Sequence, residues 1–164
     1  MSHDLIQLND YSLSRINITY HEPQEDDTAI DSLTLGFDYD IYRHENNASR
    51  RLMKLRVTGC QLDDAGNKAG IGFEAEINGD FTLPGTLDQE HREALLRING
   101  LAILYSTLRG ILGTMSGSFP GERLCLPTIL PPGIVKVVEE RKQKDAATPA
   151  KAVTKKKTPA KAAK

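Results

Sequence analysis

Apolar and polar residues alternate with a period of two through the first half of the chain. Between Ser14 and His21, Ile16, Ile18 and Tyr20 alternate with Asn17 and Thr19. Between Leu33 and Tyr42, Leu33, Leu35, Phe37, Tyr39 and Ile41 alternate with Thr34, Gly36, Asp38 and Asp40. This spacing turns one set of side chains to a buried face and the other to solvent, as in a strand. Leu52 to Leu62 is noisier but keeps Leu55 and Val57 in phase, and Ala69 to Leu83 keeps Ile71, Phe73, Ala75 and Ile77 in phase. Glu45-Asn46-Asn47 and Asp63-Asp64-Ala65-Gly66-Asn67 are turn-prone. Their shortness favours antiparallel pairing. The longer acidic connector Glu22 to Asp27 means that strands one and two need not be neighbours.

The pattern then changes to helix. Ala94, Leu95, Ile98, Leu101, Ala102, Tyr105, Leu108, Leu112 and Met115 recur at steps of mostly three and four. Thr86 and Gln89 fit a capping box at its start, and Gly117 is a natural stop. Leu104 and Ile111 widen the apolar stripe, while Ser106, Gly110 and Gly113 place small residues on another side. A helix covering one sheet needs only one apolar stripe. Leu104, Ser106, Gly110, Ile111 and Gly113 are therefore the candidate oligomer interface, against the alternative of a helix buried deep in a monomer.

Past the helix, Phe119 to Pro132 is rich in Leu and Pro and reads as an extended apolar connector. Gly133 to Lys142 fits a short helix or strand. The last stretch, 142–164, holds eight Lys and one Asp. The net charge of −1 for the whole chain thus combines a basic tail with an acidic body. The expected organisation is one domain over 1–141 and a low-complexity tail over 142–164, disordered because its composition buries no core. Lys155, Lys156, Lys157 and Lys161 are the candidate polyanion contacts of that tail. Such contacts would be salt-sensitive and independent of base sequence, since no aromatic residue is present to stack. A merely solubilising tail is the alternative.

Signatures of catalysis are missing: no phosphate loop, nucleophile elbow or zinc-protease helix occurs. Gly66, Gly70 and Gly72 lie between two strand patterns, which fits a hairpin rather than a phosphate loop. Asp38 and Asp40 share a strand face and read as polar alternation. The four histidines have no ligand spacing, and the distant Cys60 and Cys125 read as reduced, buried thiols. The expectation is a non-enzyme with no cofactor and no metal. The N-terminus lacks a secretory pattern, and the apolar stretch near Leu101 to Met115 is short for a membrane span and contains Arg109, so a cytoplasmic protein is expected.

Four segments in order carry a family resemblance: LRVT at Leu55 to Thr58, EINGDFTLPG at Glu76 to Gly85, ILYSTLRG at Ile103 to Gly110, and GSFPGERLCLP at Gly117 to Pro127. With the Tyr105 and Arg109 pair and the Gly-x-Phe-Pro turn, the stretch from Asn17 to about Val137 resembles SecB, the protein-export chaperone family. The resemblance implies an α+β fold, a four-stranded antiparallel sheet packed with a long helix and a short C-terminal element. It also implies a homotetramer (a dimer of dimers) and a holdase that binds unfolded polypeptides without covalent chemistry. By family position and apolar character, the client-binding candidates are Leu35, Phe37, Phe73, Phe119, Leu124, Leu126 and Ile129. Phe37 and Phe73 fit a core role equally well, whereas Leu124, Leu126 and Ile129 lie in the Pro-broken connector. Several family features are missing: an aromatic after strand one, a proline in the long helix, and an aromatic where Leu130-Pro131-Pro132-Gly133 stands. Members that dock on the SecA motor often end in a Cys/His zinc-binding tail; this chain carries lysines, which argues against SecA docking. The second reading is an adaptor for one dedicated partner, such as an antitoxin, with the tail contacting nucleic acid.

Overall fold

The computed structural model describes residues 5–22, 30–120 and 123–147. Four long strands, β1 (Gln7–His21), β2 (Ile30–His44), β3 (Asn47–Asp63) and β4 (Lys68–Thr82), form one antiparallel sheet in the order β1-β4-β3-β2. The expected α+β arrangement is present, and β1 and β2 lie at opposite edges. In-phase residues pair across the sheet, as in Phe37 with Val57, Leu55 with Ile77, and Ala75 with Ile16. These residues make its inner face. The β3–β4 turn is a hairpin: Gly66 takes φ +82°, and the buried Asp63 carboxylate accepts the Asn67 N–H at 2.7 Å.

β1 begins seven residues earlier than the alternation predicts. Its first half holds two register shifts, between Leu8 and Asp10 and between Leu13 and Arg15. Leu8, Leu13 and Ile16 face Phe81, Ile77 and Ala75, yet their spacing is odd, so only bulges bring them to one face.

A continuous helical run covers the inner face: α1 (Gln89–Leu95), a π-turn at Leu96–Gly100, and α2 (Leu101–Ser116). Its cap is Asp88, whose carboxylate accepts the His91 N–H at 3.0 Å, so the expected Thr86 capping box is corrected. The run is long and apolar enough to reach membrane-span dimensions by length and composition. Here, Leu96, Leu101, Leu104, Leu108 and Leu112 are fully buried, and the helix serves as a core element. Gly79 permits its close seating, because a Cβ there would lie 2.6 Å from Leu104 Cδ2 and 2.7 Å from Phe81 Cε2.

The last helix, α3 (Pro131–Ala147), is longer than the short element expected over Gly133 to Lys142. Two prolines in its first turn do not break it, since the first N–H groups of a helix have no intrahelical partner to lose. Residues 142–147 therefore belong to this helix rather than to the tail; Lys155, Lys156, Lys157 and Lys161 lie outside the described residues.

Candidate client-binding groove

α3 lies along the β2 edge and against the π-turn. Ile134, Val137, Val138 and Arg141 recur at helical spacing and turn one face of α3 toward Leu35 and Phe37 of β2. Between them is an open groove of about 380 Å³, lined by Leu35, Gly36, Phe37, Gly133, Ile134, Val137, Val138 and Arg141. Val138 is buried at its base, and Val137 is 66% exposed at its mouth. The Phe37 ring packs on Tyr105 of α2 with centroids 5.7 Å apart, tilted by 54°. Tyr105 donates to the Pro127 carbonyl at 2.7 Å, and its burial raises its phenol above the ordinary value.

Beside this apolar wall runs a polar one. The buried Tyr39 hydroxyl donates to Glu139 at 3.0 Å, and Glu139 also pairs with Arg97 of the π-turn at 3.3 Å. Burial, reinforced by the Glu139 carboxylate, pushes the Tyr39 phenol well above its usual range. Lys142 Nζ sits 5.1 Å from the Tyr39 ring centroid. It pairs with Asp40 at 2.9 Å and Asp38 at 3.4 Å, and it donates to the Tyr39 carbonyl. Arg141 pairs with Asp38 at 3.2 Å and donates to the Phe37 carbonyl at 3.0 Å. Arg56 of β3 contacts the same two carboxylates. Burial works to raise the Asp40 carboxyl, but Lys142 and Arg56 outweigh it and hold the group below the usual carboxylate range. Asp38 and Asp40 are thus anchors for α3 as well as members of an alternating strand.

The structure separates the sequence-predicted client residues. Leu35 and Phe37 are half-buried and line the groove. Phe73 is 6% exposed and belongs to the core, where its ring fills the space above Gly59. Leu124 and Leu126 are also core, at 2% and 0% exposure, which corrects their reading as surplus apolar surface. The connector is extended, so alternate side chains turn inward, and Ser116 Oγ accepts the Leu124 N–H at 2.9 Å. The same alternation turns Cys125 outward; Cys60 is half-buried, so neither thiol is fully buried as expected. Phe119 and Ile129 are half-buried against the edge of the core and do not line the groove. Ile134, Val137, Val138 and Arg141 fall within the element expected over Gly133 to Lys142, but nothing in the sequence places that element beside β2.

Of the predicted interface residues, Leu104 packs inward against the sheet and is corrected to a core residue. Ser106 and Gly110 are exposed, while Ile111 and Gly113 are half-buried. Ser106, Gly110 and Gly113 line a second surface groove, of about 450 Å³, beside the connector from Arg123 to Leu126. A Cβ at Gly110 would meet open space.

No protein-family model and no curated protein sequence matches the chain. A solved structure does: the Mycobacterium tuberculosis Rv1957 SecB-like chaperone, in complex with a ChAD peptide from the Rv1956 HigA1 antitoxin, superposes with a TM-score of 0.62 at 16% identity. The match covers 76% of this chain and 90% of that one. The chain therefore has the fold of a SecB-like chaperone.

Proposed function

We propose that this protein is a non-enzymatic, cytoplasmic holdase that binds extended segments of non-native polypeptides in the groove between β2 and α3. The observation that carries this reading is the apolar lining of Leu35, Phe37, Ile134 and Val137 next to an edge strand. Such a groove gains affinity by burying apolar area at about 25 cal/mol per Å² and reads hydrophobicity rather than sequence. The side of α2 that carries the exposed Ser106 and Gly110 and the half-buried Gly113 is the proposed contact in a dimer of dimers. The lysine tail is the proposed site of salt-sensitive polyanion contact, and protein export is one use such a holdase would serve. An adaptor for one dedicated client is the second reading, favoured by the antitoxin peptide bound to the structural neighbour.

Suppression of aggregation, measured with several unrelated unfolded proteins, separates the two readings. A holdase protects most of them, and Val137→Asp lowers protection without changing the melting temperature. Protection of a single client supports the adaptor. Protection of none contradicts both.

A further inference from the structure

β2 is an edge strand, and an edge strand has backbone groups that no neighbouring strand satisfies. In an antiparallel strand, alternate residues turn both N–H and C=O away from the partner. At the middle of β2 these residues are Phe37 and Tyr39, and side chains meet three of their outward groups. Arg141 donates to the Phe37 carbonyl at 3.0 Å, Lys142 donates to the Tyr39 carbonyl, and the Asp38 carboxylate accepts the Tyr39 N–H at 2.9 Å. Asp38 and Asp40 in turn hold the two cations. Both cations come from the last turns of α3, beside the apolar groove.

From this placement we infer that the β2 edge is a strand-accepting site held shut by Arg141 and Lys142, and that an extended apolar client segment opens it by displacing α3 and pairing with β2. The inference rests on the holdase reading and adds its regulation. The exchange is balanced at these three groups. Backbone N–H groups of the client replace the two cations on the Phe37 and Tyr39 carbonyls, and a client carbonyl replaces Asp38 at the Tyr39 N–H. Alternate client side chains then meet Leu35 and Phe37 on the groove side. Lys142 is about two-fifths exposed and Arg141 about half, as their ion pairs record, so water can rehydrate both once α3 moves. The seal is thus weak enough to open, and it lowers the apparent affinity by the fraction of molecules that are closed.

The test uses the full chain and dye-labelled, reduced and carboxymethylated α-lactalbumin, a permanently unfolded acidic protein. Arg141→Gln with Lys142→Gln should bind it about fivefold more tightly than wild type. Lys136→Gln, which removes an α3 cation remote from β2, is the control. Simple attraction between cations and an acidic client predicts the opposite sign for the double variant. Raising ionic strength from about 0.05 to about 0.5 M should tighten binding by wild type and leave the double variant little changed. Without client, hydrogen exchange at Tyr39 and along α3 should be faster in the double variant than in the control. Binding no tighter than the control, with unchanged exchange, overturns the seal. If exchange is faster but no variant binds client, the holdase reading fails and the strand-accepting role fails with it.

Discussion

Leu124 and Leu126 show how a single residue's role depends on a backbone the sequence only half reveals. They lie in a proline-broken connector, yet both point into the core. Leu126→Ala should cost about 2–5 kcal/mol, as buried leucines do. Chemical denaturation measures this, and a cost below that of Ile129→Ala would return Leu126 to the surface. Tyr105→Phe removes the bond to the Pro127 carbonyl and should cost about 0.5–1.5 kcal/mol. Asp40 predicts a pH dependence. Its folded-state carboxyl is held below the ordinary value, so the folded form takes a proton less readily than the unfolded chain. Its contribution is complete above about pH 4 and lost as pH falls through the folded value. The melting temperature of wild type should therefore fall more steeply below that point than that of Asp40→Asn. Parallel curves would mean that the carboxylate contributes nothing to α3 docking.

At the scale of elements, legibility followed periodicity. β2 and β4 carry clean alternation and are readable, as is the long helix; the noisier β3 is readable only from Leu52 and begins at Asn47. The first half of β1 is not readable, because two bulges shift Leu8 and Leu13 out of a simple period. α3 extends past its expected bounds at both ends: Pro131-Pro132 signals a break inside a helix but a permitted start in its first turn, and the residues after Lys142 share the composition of the tail. Five of the eight groove residues are on α3, so the larger part of the candidate site lies there: Leu35 and Phe37 are legible as candidates in the sequence, Ile134 and Val137 are not. The spacing Ile134, Val137, Val138, Arg141 was the signal available. The outer side of α2 makes its own prediction. A side chain at Gly110 meets open space within the protomer. Gly110→Leu should leave the protomer folded while shifting the proposed oligomer toward smaller species in light scattering. An unchanged mass would move the assembly contact away from this helix side.

The whole molecule divides its two sheet faces between two tasks. The inner face holds the core with α2, and the outer face is a ladder of ion pairs, including Arg15 with Glu74 at 2.9 Å and Lys54 with Glu76 at 3.1 Å. An apolar groove lies beside the sheet edge where β2 meets α3, and the central claim is that non-native chains bind there. Site-specific photo-crosslinking tests it most directly. A photoreactive residue replacing Val137 should capture an unfolded client, with unfolded but not folded competitor removing the product. The same residue replacing Leu52, which is exposed on the outer face, should capture none. Capture at Leu52 with none at Val137 would contradict the account.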